Sequence, residues 1–400
     1  MPLVFSLKDR WAFLKENARL FRVATFFEVV LCPFVVTRLV WLLIGWFSFY
    51  FVPHPSFDKY IEQGWFLSPH FLIDMWCRWD AKWYLSIIEG GYSAPSDLAK
   101  YLSNVAFYPF YPYLIKGIAW LLPNAWVSRS VYLLIGLLIS NFSFLAGGWL
   151  FYLLVEQVKK DEALARRSLE FLFVFPTAFF FSCFYTESLF LLLSVAVVLA
   201  GLRAKWVIAC GLAAMATVTR PQGILIVVPL LWIYFAGRAW RFRQIRLDLA
   251  WVLLVPLSAV LHFLGLYKIS GSYWAPVMAQ KAWERGGGLW ANLQEVFSTP
   301  VADVYKMDVF LWVLFALLLL WGFRRISAGG MHMYALLMLI APVATGTFFS
   351  ASRFLVVVFP IFILLAERLE RGFWRWLVLA AFFALQTLYF LGWVNYYWIA

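Results

Sequence analysis

Long apolar runs separated by short polar segments make up most of the chain. They occupy positions 25–52, 130–155, 169–185, 187–203, 206–220, 222–237, 249–268, 308–323, 332–350, 354–367 and 376–397. A transmembrane helix needs roughly 20 mostly apolar residues, so these runs predict an all-α polytopic membrane protein with about 11 transmembrane helices. Several of the runs are short for a full crossing.

The run at 105–123 is ambiguous because it contains three prolines and a lysine. Basic residues concentrate in cytoplasmic loops, and this rule fixes which loops face inwards. If 105–123 does not cross, most of the 33 Lys and Arg residues lie in the N-terminal segment and in short inner loops. If it crosses, all but the first of these clusters face outwards. We therefore expect a re-entrant or interfacial helix on the outer side.

The segment 1–24 mixes acidic and basic residues with apolar residues at helical spacing, namely Leu7, Trp11, Leu14, Ala18 and Phe21. This pattern predicts a cytoplasmic amphipathic helix on the membrane surface rather than a cleavable signal peptide. Residues 25–400 then form one transmembrane domain with two sizeable outer segments, 53–129 and 269–307. The long first outer segment indicates that the chemistry takes place outside.

Composition supports a membrane protein and argues against a nucleic acid partner. Hydrophobic residues make up 64% and charged residues 14% of the chain, which is too apolar for a soluble domain. The formal net charge is +12, but the charges lie in short clusters rather than along one polar face. The four cysteines show no metal-ligand spacing, so core packing is their expected role.

The segment RWDAKWYLSIIEGGYS, residues 78–93, is the first candidate for chemistry and predicts a helix. Polar and aromatic residues fall on opposite faces of it. The polar face holds Asp74, Arg78, Lys82 and Glu89, and the aromatic face holds Trp76, Trp79, Trp83, Tyr84, Ile87 and Ile88. Four of these residues are candidates for substrate binding: Arg78, Trp79, Trp83 and Tyr84.

Asp80 lies on the aromatic side of this segment. Partial desolvation raises the pKa of a carboxylic acid, which suits a general base for a hydroxyl group. The alternative is structural: Asp80 caps the helix or pairs with Arg78 or Lys82.

Other candidates lie at the predicted outer ends of spans. FYPFYPY, residues 107–113, predicts a kinked aromatic wall that includes Tyr108 and Tyr111, or an interfacial aromatic belt. Glu187 in YTES is either a helix cap or a second acid of the site. Arg220 in TRPQG and Arg353 in SRF run against the inner bias of positive charge. They predict phosphate binding, with snorkelling to lipid headgroups as the alternative.

The second outer segment contains Gln280, Lys281, Trp283 and Arg285, which suit a sugar or a phosphate headgroup, or form a plain surface loop. The chain lacks a P-loop, a GxGxxG before a helix, an HExxH and a DxD pair. The missing DxD argues against an ordinary nucleotide-sugar site, and no metal ligands are predicted.

In order along the chain, WDAKWYLSIIEGGY, NVAFYPFYP, FPTAFFFSCFYTESLFLLL, ATVTRPQGILI, AQKAW and SRFLVVVFP resemble the GPI mannosyltransferase II (PIG-V) family. That family belongs to the GT-C superfamily of multi-span glycosyltransferases. The resemblance extends over nearly the whole chain and implies a GT-C-like bundle with outer-side juxtamembrane helices in the first large loop. Ser272 departs from the pattern, because an acid is expected there in relatives.

The resemblance implies a glycosyltransferase that moves a sugar, usually mannose, from a polyprenyl-phosphate donor of the dolichyl-phosphate type. It marks Asp80 as the base of an inverting single displacement and Glu187, Arg220 and Arg353 as site residues. The aromatic walls hold the sugar and the first isoprene units. No cofactor is required beyond the lipid-linked donor, although a divalent cation remains an option.

The resemblance leaves the acceptor open among a glycan, a glycolipid and a protein, with an accessory membrane subunit as a further partner. The short chain favours the cytoplasmic membrane of a bacterium, or the endoplasmic reticulum if the source is eukaryotic. The competing hypothesis is a polytopic transporter or lipid flippase. The charged candidates favour transfer, because they lie at the outer edge rather than in the middle of spans.

Overall fold

The computed structural model describes residues 18–52, 64–283, 290, 294, 303–344 and 347–399. Most of the predicted amphipathic segment 1–24 lies outside these residues, as do Arg285 and most of 284–302. The described residues are helical or irregular and contain no strand. The predicted all-α class is confirmed.

Five helices of the described part are long and apolar enough to cross a membrane: Leu20–Phe51, Arg129–Lys159, Leu247–Ser270, Tyr305–Gly322 and Phe373–Val394. Shorter apolar helices are Glu187–Leu202, Trp206–Thr217, Pro221–Ala236 and Ala328–Val343. The remaining helices of four residues or more include Phe71–Asp74, Ala81–Gly90, Phe110–Ala119, Glu162–Val174, Ala178–Ser182, Ala275–Ala279, Gln280–Trp283, Ala351–Leu355 and Pro360–Arg368. The chain is therefore an integral membrane protein.

The helix Arg129–Lys159 forms the centre of the bundle and packs against Glu187–Leu202. A Cβ atom on Gly147 would lie 3.2 Å from the backbone of Leu192, so glycine allows these two helices to approach closely. The first and last long helices pack side by side, where Trp41 contacts Phe383 and Phe390. Both helices also contact the first outer segment, because Trp46 packs on Phe71 and the indole N–H of Trp393 donates to the carbonyl of Met75.

The prediction of one span at 169–185 is wrong in its form. The helix Glu162–Val174 ends before Pro176, whose ring disfavours a helical residue at Phe175. A short helix, Ala178–Ser182, and an extended Cys183 follow, all buried. This buried irregular segment is as apolar as a transmembrane helix, so composition alone did not distinguish the two. The predicted span at 354–367 is also shorter, because its helix begins only at Pro360.

The ambiguous run at 105–123 forms the helix Phe110–Ala119, preceded by a short turn at Asn104–Ala106. Ten residues extend about 15 Å, half of a bilayer core of roughly 30 Å. Pro109 stands just before the helix and Pro112 in its first turn, where neither breaks an interior hydrogen bond. The run is too short to cross as one helix.

The predicted helix at 78–93 begins only at Ala81 and ends at Gly90. Trp79 has a φ of 50°, a left-handed conformation that interrupts the helix before Asp80. Asp74 and Arg78 therefore do not lie on the polar face of this helix, contrary to the prediction. They form a buried ion pair that joins the end of the helix Phe71–Asp74 to the following loop, residues 75–80, which we call the Asp80 loop.

We predict that residue 100 faces outwards and residue 163 inwards. In a Cys32→Ala background, which removes the exposed native thiol, a cysteine at exposed Lys100 should react with a membrane-impermeant maleimide on intact cells. A cysteine at exposed Ala163 should react only after the membrane is opened. Labelling of position 163 on intact cells would show that the chain crosses between these two positions an even number of times.

We predict that Gly223→Ala destabilises the protein, because the added Cβ would lie 2.1 Å from the carbonyl oxygen of Ala216. Overpacking of this kind costs about 1–3 kcal/mol or more. Gly211→Ala is the matched control, since its Cβ meets nothing within 4 Å and alanine favours a helix by up to about 1 kcal/mol. Thermal melting of the purified proteins in detergent should show a melting temperature below that of the wild type for Gly223→Ala and above it for Gly211→Ala. Equal melting temperatures would contradict the prediction.

Candidate active site

A cavity of about 650 Å³ lies where several irregular segments meet at one end of the bundle. Seven of the predicted site residues line it: Asp80, Tyr84, Tyr108, Arg220, Gln280, Lys281 and Arg353. Asp80 and Tyr84 come from the first outer segment, and Gln280 and Lys281 from the second. Arg220 stands directly before the helix Pro221–Ile226, and Arg353 lies in the short helix Ala351–Leu355. The fold thus gathers residues separated by more than 250 positions in the sequence around one space.

Four charged side chains form a continuous chain beside this cavity. Nη1 of Arg353 lies 2.8 Å from Oδ2 of Asp80, and its Nε lies 3.1 Å from Oε1 of Glu187. The same Oε1 lies 2.7 Å from Nη1 of Arg220. Two negative and two positive groups therefore alternate. We call them the charge chain.

The charge chain is almost completely removed from solvent. Glu187 is 0% exposed, Arg220 5%, Asp80 7% and Arg353 8%. Glu187 itself does not line the cavity and instead lies behind the two arginines, as the first residue of the helix Glu187–Leu202. Buried ion pairs are costly to desolvate and give little net stability. Their presence at a cavity is therefore typical of a functional site.

Arg353 stays charged in this environment. Burial alone lowers the pKa of its guanidinium, but the charges of Asp80 and Glu187 raise it by more, so the pKa lies above its ordinary value. The ring of Tyr185 also faces the guanidinium, with 5.0 Å between Cζ and the ring centroid. Arg353 is thus a permanent cation that bridges two carboxylates.

Tyrosine hydroxyls on the cavity wall stay neutral. Burial, followed by the charge of Glu187, raises the pKa of Tyr84, and burial raises that of Tyr108. A neutral phenol can donate or accept a hydrogen bond but is a poor base near neutral pH. Tyr84 already contacts Thr186 Oγ1 at 3.3 Å. Among the cavity groups, Asp80 is accordingly the better candidate for a base.

Asp80 neither caps the helix nor pairs with Arg78 or Lys82, which were the structural alternatives. Asp80 precedes the helix Ala81–Gly90 but makes no capping hydrogen bond. Its carboxylate is paired with Arg353, whereas Arg78 pairs with Asp74 and Lys82 lies over the ring of Trp65. The partner of Asp80 is therefore a distant residue at the cavity.

Five of the predicted substrate-binding residues do not line the cavity, and Glu187, described above, is one of them. Arg78 is buried in a network with Asp74, the carbonyl of Val394 and the ring of Tyr396. Tyr111 donates to the carbonyl of Gly136. The other two are Trp79 and Trp83.

Trp79 packs on Trp65 and Trp398, and Trp83 on Phe107 and Trp283. Three of these four partners, Phe107, Trp283 and Trp398, line the cavity. Both tryptophans therefore support its wall from behind.

Two residues next to the site escaped the sequence reasoning. Asp308 accepts hydrogen bonds from the backbone N–H groups of Ser350 and Ser352 at 3.0 and 2.9 Å, and so fixes the turn before Arg353. An acid within an apolar run was the available signal. The second is Tyr185, whose hydroxyl contacts the backbone on both sides of Trp79. Nothing in its sequence neighbourhood points to that contact.

Within the part of the chain that the structure describes, no three His, Cys, Asp or Glu side chains lie together as metal ligands. The polar wall of the cavity instead combines one carboxylate, two guanidinium groups, one lysine and several hydroxyls. Such a wall can accept a proton and can bind an anion such as a phosphate.

Among solved structures, those of the oligosaccharyltransferase of Archaeoglobus fulgidus show a weak overall similarity to this chain. Its complex with Zn and sulfate is 16% identical, with a TM-score of 0.45, over 79% of this chain and 48% of that one. Its complex with an inhibitory peptide and a dolichol-phosphate is 13% identical, with a TM-score of 0.38, over 81% and 51%. This chain spans about half the length of those proteins.

A search of curated proteins found no match. The family model described as mannosyltransferase (PIG-V) matches residues 34–274, more than half of the chain. The matched range includes Asp80, Glu187 and Arg220. The chain therefore belongs to the mannosyltransferase (PIG-V) family.

Proposed function

We propose that the protein transfers a mannosyl group from a polyprenyl-phosphate donor to an acceptor hydroxyl at the outer membrane face, with this cavity as its active site. The observation that carries this proposal is the position of Asp80 and Arg353, which face the same cavity 2.8 Å apart. One is a base for the acceptor and the other a cation for the donor phosphate. Family membership supplies the class of reaction.

In the proposed reaction, Asp80 accepts the proton of the acceptor hydroxyl while its oxygen attacks the anomeric carbon. The bond from that carbon to the phosphate oxygen breaks on the opposite face, so the anomeric configuration inverts. Arg353 occupies Oδ2 of Asp80, which leaves Oδ1 for the acceptor. One base and one anion-stabilising group are enough for this single displacement.

The charge chain suits this reaction because of where negative charge moves. The donor is a phosphodiester with one negative charge, and the leaving polyprenyl phosphate has two. Asp80 loses its charge as it takes the proton, so negative charge passes from one neighbour of Arg353 to another. Groups that bind the developing charge more strongly than the initial charge lower the barrier. Arg353 and Arg220 meet this condition without a metal ion in the proposed mechanism.

The rest of the cavity suits a lipid-linked sugar. Its wall combines the polar groups above with apolar residues, including Leu225, Val277 and Phe349. We propose that the aromatic side chains hold the sugar and that the apolar part holds the first isoprene units. A volume of about 650 Å³ is in the range of small-molecule sites.

We predict that Asp80→Asn lowers transfer by about 10²- to 10⁴-fold, because the amide cannot take the proton. The measurement is transfer of mannose from a synthetic polyprenyl-phosphate mannose to membrane acceptors by purified protein. Asp97→Asn is the matched control, since Asp97 lies exposed in the same outer segment and does not line the cavity. Full transfer by Asp80→Asn would refute the base assignment. Absence of transfer by the wild type with any such donor would favour the transporter hypothesis.

We predict that Arg353→Lys lowers the rate of transfer by about 10²-fold and raises the donor KM. Lysine keeps the charge, but its single ammonium cannot bridge Asp80 and Glu187 as a guanidinium does. Arg129→Lys is the control, because Arg129 forms an exposed ion pair with Glu89 away from the cavity. Equal rates for the two variants, with both proteins folded, would exclude a role of Arg353 in transfer.

A further inference from the structure

The backbone just before Asp80 is held in an unfavourable conformation. Trp79 has a φ of 50°, in the left-handed region that is unfavourable for a bulky L-residue. Such conformations persist where the surroundings enforce them, and they concentrate at functional sites. Asp80 itself returns to a φ of −60° and stands directly before the helix Ala81–Gly90. The conformation of Trp79 thus sets the direction in which Asp80 leaves the loop.

One side chain bonds to the peptide groups on both sides of Trp79. The hydroxyl of Tyr185 donates to the carbonyl oxygen of Arg78 at 3.0 Å and accepts from the backbone N–H of Asp80 at 3.0 Å. The first group belongs to the peptide that precedes Trp79 and the second to the peptide that follows it. A single hydroxyl therefore fixes the orientation of both peptide planes.

The ring of the same tyrosine contacts the other partner of the Asp80 pair. Cζ of Arg353 lies 5.0 Å from the ring centroid, within the range of a cation–π interaction. The ring itself is fixed by Trp393 and Phe180, whose centroids lie 5.5 and 5.4 Å away. Tyr185 is 1% exposed and does not line the cavity, so it touches both functional groups without facing the substrates.

We propose that Tyr185 is a positioning residue with two separable roles. Its hydroxyl holds the left-handed backbone that directs Asp80 into the cavity, and its ring holds the guanidinium of Arg353 in place. The proposal rests on the proposed function, in which Asp80 is the base and Arg353 binds the donor phosphate. It assigns a role in transfer to a residue that neither lines the cavity nor carries charge, and that role is to position the two residues that do.

The two roles separate in two substitutions. Tyr185→Phe keeps the ring and removes the hydroxyl, so kcat should fall about 10- to 100-fold while the donor KM stays the same. Tyr185→Leu removes both, so kcat should fall and the donor KM should also rise. Tyr334→Phe is the matched control, since Tyr334 is equally buried and its hydroxyl donates to the carbonyl of Val357 at 2.9 Å. It should lose comparable thermal stability with kcat unchanged.

A double-substitution cycle with Trp79 tests the mechanism directly. Glycine adopts a positive φ at little cost, so in Trp79→Gly the backbone at position 79 no longer needs the hydroxyl of Tyr185 to hold it in the left-handed conformation. The loss of kcat caused by Tyr185→Phe should be several-fold smaller in the Trp79→Gly background than in the wild type. An equal loss in both backgrounds would overturn the backbone role of the hydroxyl.

The outcomes also distinguish this inference from the proposed function. If Asp80→Asn is inactive but Tyr185→Phe behaves like Tyr334→Phe, the positioning role is wrong and the base assignment stands. If Asp80→Asn is fully active, the base assignment fails first and the inference fails with it. A parallel loss of melting temperature and of activity in both Tyr→Phe variants would reduce Tyr185 to a structural residue.

Discussion

The pairing of Arg353 with two carboxylates is the interaction on which the site depends. Asp80, Glu187 and Arg220 come together beside the cavity from three segments that are distant in sequence, and Arg353 touches the first two directly. Removing one partner of a buried ion pair costs about 3–5 kcal/mol, because the remaining charge stays buried without compensation. The charge chain thus ties these four segments together. An apolar replacement of similar volume would hold the helices equally well, so stability alone does not account for the charge chain.

The sequence predicted the long helices because a bilayer imposes a length on them. It was less successful at 169–185 and 354–367, since a buried irregular segment is as apolar as a span. Polar backbone groups in the first of these segments find partners inside the protein, such as the N–H of Phe184 with the carbonyl of Trp76. Such long-range contacts, together with local turns such as the N–H of Cys183 with the carbonyl of Phe180, permit irregular structure there. Proline at 176 was the local sign of the break.

The candidate site was predictable as a set of residues but not as an arrangement. Motif order indicated Asp80, Glu187, Arg220 and Arg353, and three of them line one cavity. Spacing suggested that Asp80 would pair with Arg78 or Lys82, because local patterns see only neighbours within one or two helical turns. Its partner is 273 positions away. Arg78 has the charge of a phosphate ligand, yet its i,i+4 neighbour Asp74 and the C-terminal segment take up its guanidinium.

That same network fixes the position of Asp80, the proposed base. The C-terminal segment holds the Asp80 loop from behind: the indole N–H of Trp393 donates to the carbonyl of Met75, and the hydroxyl of Tyr396 to Asp74. Tyr185 holds the loop from the other side, through the backbone of Asp80. The position of the carboxylate is therefore set by its main chain. In the proposed mechanism, its side-chain bond to Arg353 can therefore weaken when Asp80 takes the proton, while the main chain keeps the carboxyl group in place, as a base that gains and loses a proton requires.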